Sequence, residues 1–186
     1  MSTAPSQPPF EAARIIVLMG VSSSGKSVVG KAFARRLHVP FIEGDDYHPD
    51  ANKEKMRAGI PLTDEDRWPW LERLALALRE AAETKGVAVG ACSALKRSYR
   101  DFLKSKSGLP LLFIHLHGEK AVLAERAAAR KHEYMPPSLL DSQLATLELP
   151  EPDEKVLTLS ILDPVETLTN KIAKSLPHLK TFKRGQ

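Results

Sequence analysis

The chain has 186 residues, enough to bury one sizeable core and too few to require a second domain. Its 27 Lys and Arg against 23 Asp and Glu give a net charge of +4, a mild basic excess that suits an anionic small substrate as well as nucleic acid and does not decide between them. The single cysteine, Cys92, excludes an intramolecular disulfide framework and a cysteine-built zinc site, and no apolar run approaches the ~20 residues of a membrane span, so a cytoplasmic protein without a membrane partner is expected.

Residues 1–13 hold three prolines among small polar residues, with no apolar stretch and no arginine, and are expected to form a disordered arm rather than a targeting segment. Residues 14–19 are a short β-branched apolar run suited to a buried parallel strand, and residues 27–37 space Val28, Val29, Ala32, Phe33 and Leu37 as a helix does. Between them Gly20, Val21, Ser22, Ser23, Ser24, Gly25, Lys26 and Ser27 fit G-x-x-x-x-G-K-[ST] without a gap. Strand, glycine loop and helix follow in the order that phosphate binding requires. The glycines let backbone N–H groups turn inward around a β-phosphate, and the helix N-terminus adds its partial positive charge. Lys26 would reach the β- and γ-phosphates and the Ser27 hydroxyl would ligate Mg²⁺. A Ser/Gly-rich surface turn before an amphipathic helix is the bland alternative; the flanking strand argues against it.

Residues 39–42 read as a brief strand, and residues 43–49 as a loop carrying Asp45 and Asp46 and stopped by Pro49. A loop at the carboxyl end of a parallel strand faces the same crevice as the phosphate loop, so Asp45 is expected to serve substrate or Mg²⁺ rather than a simple turn. A short helix over 50–58 and a break at 59–62 lead to Thr63, an N-cap, with Asp64, Glu65 and Asp66 read as capping acids of a helix reaching about residue 84. Strands follow at 86–91, 109–116 and 156–161. They are interleaved with a basic helix over 95–104 and helices over 119–130, 138–147 and 165–176; residues 131–137 and 150–153 are irregular. The alternation predicts a three-layer α/β domain over 14–178 with a mostly parallel, five-stranded sheet, a small substrate-binding insert after the second strand, and a basic tail over 179–186. His115 and His117 share a strand face without a third ligand nearby in sequence, and read as core or rim.

Guanine-nucleotide switches are set aside because no glycine has an aspartate three positions before it, and the one Asn-Lys pair, Asn170-Lys171, is followed by Ala173 where an aspartate is needed. The remaining blocks are Asp45-Asp46-Tyr47-His48-Pro49, Asn52 with Lys55-Met56, Gly59 to Asp64, Asp66-Arg67 with Pro69-Trp70-Leu71, Cys92 to Lys96 with Tyr99-Arg100-Asp101, Met135-Pro136, and Ser142-Gln143 with Thr146-Leu147-Glu148. Together with the glycine loop they resemble gluconate kinases, of the shikimate-kinase-like branch of phosphate-loop small-molecule kinases, over residues 14–162. Three positions depart from that pattern: Ser23 stands in place of glycine, Val28 in place of threonine or serine, and Leu144 in place of phenylalanine.

The resemblance implies phosphoryl transfer from ATP, with Mg²⁺, to the 6-hydroxyl of D-gluconate, in a protein that forms homodimers and has no nucleic-acid partner. Such chemistry needs positioning and charge neutralisation. Gluconate's carboxylate asks for cationic anchors, for which Arg67, Lys96 and Arg100 are the candidates, the last two four residues apart on the basic helix. Asp45 is expected beside the accepting hydroxyl. Arg126 and Arg130 fall in register with the family's lid arginines, one near the adenine and one near the transferred phosphate, on a lid over 126–137. A kinase of another hydroxy acid such as shikimate, or a non-catalytic nucleotide-dependent binding module, remains the alternative at this point.

Overall fold

A computed structural model describes residues 13–130 and 136–179. Strand β1 (Ile15–Met19) is apolar at every position and wholly buried, as a strand covered on both faces must be. The glycine loop follows it and gives way to α1 (Lys26–Leu37), with β2 (Phe41–Glu43) beyond. After β2 the chain makes a 3₁₀ turn (Gly44–Tyr47) where an irregular loop was expected, then α2 (Asp50–Arg57) and the long α3 (Asp64–Lys85). Next come β3 (Ala88–Ala91), α4 (Arg97–Ser107), β4 (Leu111–His117), α5 (Lys120–Ala129), α6 (Pro137–Thr146), a 3₁₀ turn (Pro152–Glu154), β5 (Leu157–Ser160) and α7 (Val165–Ser175).

The five strands form one sheet in the order β2-β3-β1-β4-β5, every neighbouring pair parallel. The order reverses about β1, so the crevice at its carboxyl end is where this architecture places ligands. Helix α1 packs with α7 and α3 with α4 around this sheet. Thr63 and Asp66 close a capping box at the start of α3: Asp66 N–H donates to Thr63 Oγ1 and Thr63 N–H to Asp66 Oδ2.

Two expected boundaries shift. Ala13 and Leu179, assigned from sequence to the arm and the tail, are both buried in the core, and His178 Nε2 lies 3.0 Å from the Ala13 carbonyl. Helix α4 begins at Arg97, two residues later than the basic run suggests, which leaves Lys96 as its N-cap. The rest of the expected arm and tail, and residues 131–135 of the expected lid, lie outside the described residues. No described helix is long and apolar enough to cross a membrane.

Candidate active site

The phosphate loop holds its shape by backbone geometry. Gly20 has φ 141° and a Cβ there would lie 2.8 Å from the Leu116 carbonyl oxygen; Gly25, the N-cap of α1, has φ 93°. Both positions therefore need glycine. Ser23 adopts φ 66°, a left-handed conformation that glycine takes without strain. The Lys26 ammonium curls back onto the Val21 carbonyl at 2.9 Å. Burial lowers its pKa; Asp45, Cys92 and Glu43 oppose that shift, and Arg130 adds to it. The cysteine itself is inert: burial pushes its thiol up to about 12.

Ser27, the expected Mg²⁺ ligand, donates its hydroxyl hydrogen to Glu43 at the carboxyl end of β2. Burial raises the Glu43 pKa and the Ser27 hydrogen bond holds it down. Sequence reasoning sought the metal-side acid after the second strand and passed over this residue. Its signal was positional: it is the last residue of a strand that ends level with the glycine loop. A hydroxyl beside a carboxylate is a hard-oxygen donor set that fits Mg²⁺.

A cleft opens directly from the loop. It is lined by Ser22 and Lys26 of the loop, Asp45 and His48, Met56 of α2 with Ile60, Pro61 and Leu62 of the segment after it, and Arg67, Leu139 and Gln143. The expected insert thus lines the cleft. Asp45 reaches into it with a side chain 78% exposed. Gln143 Oε1 accepts the Ser22 N–H at 2.6 Å, tying α6 to the phosphate loop.

The three expected anchors separate. Arg67, with a side chain 13% exposed, lines the cleft, donates to Tyr99 Oη at 3.0 Å and lies 3.9 Å from Asp64. Lys96 stands beside them rather than among the cleft-lining residues, its ammonium 3.1 Å from Asp64 Oδ1. Tyr99 donates to the same carboxylate, and these hydrogen bonds, from Tyr99 and then Lys96, lower the Asp64 pKa. Asp64 is therefore the hub of this cluster; the helix cap belongs to Asp66. Arg100 is not a substrate anchor. Its side chain has no exposure; Nε and Nη2 meet both oxygens of Glu154 at 2.6 and 2.8 Å, and Nη1 serves the Ala94 and Leu95 carbonyls. The like charges of Lys96 and Arg100 are each answered by a carboxylate of the chain itself, Asp64 and Glu154, and need no bound anion. Arg126 on α5 donates to the Ile161 carbonyl at 2.6 Å, and Arg130 is the C-cap of that helix; neither lines the cleft.

Because the cradle opens straight onto the cleft of Asp45 and Arg67, a nucleotide's terminal phosphate and a small hydroxylated anion would meet between Lys26 and Asp45. That arrangement defines a phosphate-loop small-molecule kinase. Residues 22–158 match the family model for shikimate kinase. The chain is 50% identical over 147 residues to the gluconokinase of Gluconobacter oxydans, which covers 79% of this chain and 82% of that protein. A sugar kinase from a Janibacter species superposes with a TM-score of 0.84 at 41% identity, covering 91% of this chain and 98% of the other. A gluconokinase from Sinorhizobium meliloti superposes with a TM-score of 0.77 at 44% identity, covering 92% and 93%. The chain belongs to the gluconokinase family, within the shikimate kinase fold, and it is an enzyme. Neither a shikimate-specific kinase nor a non-catalytic binding module is favoured by these relatives.

Proposed function

We propose that this protein transfers the γ-phosphoryl group of ATP to the 6-hydroxyl of D-gluconate in the cytoplasm, giving 6-phospho-D-gluconate and ADP. The observation that carries the reading is that Lys26 of the phosphate loop, Asp45 and Arg67 line one cleft. Lys26 reaches the β- and γ-phosphates when it leaves the Val21 carbonyl, and the N–H groups at the start of α1, those of Lys26 and Ser27 among them, would hold the β-phosphate. Ser27 and Glu43 are the residues that would hold Mg²⁺, which when bound neutralises charge between the β- and γ-phosphates. Asp45 orients the accepting hydroxyl and takes its proton late in transfer. Arg67 anchors the gluconate carboxylate, with Lys96 supporting from the Asp64 cluster. Arg126 and Arg130 belong to the nucleotide side, where Arg130 would share in neutralising the γ-phosphoryl oxygens and Arg126 would guard the adenine side.

The position of transfer is read from the product. Protein, MgATP and gluconate are incubated and the product examined by phosphorus–proton correlation NMR, where a phosphorus coupled to the C6 methylene protons is expected. Coupling to a methine proton of C2–C5 overturns the assignment of the accepting hydroxyl.

A further inference from the structure

The stretch from Asp45 to Pro49 contributes more than Asp45, through a relay that begins at a backbone carbonyl. The Asp66 carbonyl oxygen can only accept, and Asn52 Nδ2 lies 2.8 Å from it, which fixes the orientation of the Asn52 amide. The same Nδ2 lies 3.2 Å from His48 Nδ1 and offers its second hydrogen there. His48 Nδ1 is thereby the acceptor, so the proton of the neutral ring sits on Nε2. The frame around this relay is rigid. Asp66 is held by Lys55 at 2.8 Å and by the capping box; the His48 ring stacks on Trp70 with centroids 3.9 Å apart and planes 20° off parallel; and Trp70 Nε1 donates to the Gly44 carbonyl at 2.7 Å. Burial, with Arg67 and Lys53 nearby, brings the His48 pKa to about 4, so the ring is uncharged at neutral pH.

His48 nevertheless forms part of the cleft wall, and among the described residues no acceptor lies within hydrogen-bond distance of Nε2. The group facing it is Asp45 Oδ1, at 4.0 Å. That gap is too long for a direct hydrogen bond. An oxygen about 2.8 Å from both atoms would subtend roughly a right angle, close to what a hydroxyl oxygen prefers. A hydroxyl is also the group that satisfies both sides, accepting from Nε2–H while donating to the carboxylate.

We infer that His48 and Asp45 form a donor–acceptor pair that binds one substrate hydroxyl, and that Asn52 is the positioning residue that keeps the histidine proton on Nε2. Resting on the gluconokinase reading, the hydroxyl so held is the one that accepts the phosphoryl group. The pair sorts acceptors by chemistry: a hydroxyl fits, whereas an ammonium has no lone pair for Nε2–H, and a carboxylate or a deoxygenated carbon has no proton for Asp45.

Long-range proton–nitrogen NMR of the full-length ¹⁵N-labelled protein without ligands tests the tautomer independently of any activity. The His48 signals are identified by their loss in His48→Gln. The Nε2–H tautomer is expected at pH 7; an Nδ1–H tautomer or a charged ring overturns the inference, whether or not gluconate is the substrate. Asn52→Leu should leave a mixture of the two tautomers, and a pure Nε2–H ring in that variant removes Asn52 from the relay. Kinetics supply the second arm. His48→Leu should raise the gluconate KM about tenfold or more, and His48→Gln, whose amide N–H reaches the place of Nε2–H, should return it to within about threefold of the parent, with the ATP KM moving less than about twofold in both. Equal losses in the two variants, or an equal rise in the ATP KM, contradict a hydroxyl-binding role.

Discussion

Helices α3 and α4 pack together and carry two clusters of charge that differ in one respect: whether every donor is already used. Arg100, on α4, spends all its hydrogen-bonding nitrogens inside the chain, on Glu154 and on two carbonyls, and sees no solvent. Arg67, on α3, gives one bond to Tyr99, stands off from Asp64 by 3.9 Å and faces the cleft with donors left over. A guanidinium saturated by its own chain holds the fold together, and one with spare donors is available to an anion. The Arg100–Glu154 pair spans 54 residues and fixes the turn before β5 against the start of α4, where Arg97 N–H is also capped by Glu148.

The largest loss is expected at Lys26, which lines the cleft beside Arg67. Lys26→Ala should abolish turnover in a protein that still folds, since it removes the charge meeting the β- and γ-phosphates; full activity in that variant would remove the phosphate-loop account. The next largest effect contrasts the two arginines. Arg100→Met leaves Glu154 buried and unpaired and should cost about 3–5 kcal/mol of stability in a denaturant titration, while the folded fraction keeps its gluconate KM. Arg67→Met should do the reverse, raising the gluconate KM about tenfold or more with a stability change within about 1 kcal/mol. If both variants alter the same quantity, the distinction between saturated and spare donors fails. At Asp45, Asn keeps the shape and loses the charge; kcat should fall roughly 10²-fold with ATP affinity little changed, as calorimetry and kinetics on one preparation would show. An unchanged kcat with a raised gluconate KM would make Asp45 a binding group alone.

The pH dependence concerns one histidine beside each arginine. Burial lowers both His48, near Arg67, and His115, near His117 and Arg100, to about 4 from an ordinary 6.5. The unfolded chain takes up these protons near pH 6.5 and the folded chain only near pH 4. Stability from this source is therefore complete above about pH 6.5 and declines as pH falls toward 4, each histidine contributing at most about 1.4 kcal/mol per pH unit. Denaturation midpoints measured across that window should drop on acidification and should flatten in His115→Phe; a midpoint independent of pH would contradict the burial of both rings.

What could be read from the sequence was local. The apolar run of β1, the glycine spacing and the periodicity of α1 each lie within a dozen residues, and they placed the cradle and Lys26 correctly in the order of the fold. The five-stranded parallel sheet followed from the alternation of short apolar runs with amphipathic ones. What escaped depended on partners far along the chain. Glu43 gains its role only because β2 pairs beside β3 and ends opposite Ser27, and nothing in residues 39–49 distinguishes it from a strand-end acid. Arg100 looks like Arg67 until Glu154 is brought beneath it. Asp64 sits at a capping position in the sequence, yet the reciprocal bonds are made by Asp66, which frees Asp64 to gather Tyr99 and Lys96.

The cleft joining Lys26, Asp45 and Arg67 should select a polyhydroxy acid as phosphoryl acceptor. ADP release measured with MgATP across a panel of sugar acids, polyols, shikimate and nucleoside monophosphates tests it most directly. Gluconate should give the largest kcat/KM of the panel; a larger value for shikimate or for a nucleoside monophosphate would contradict the claim.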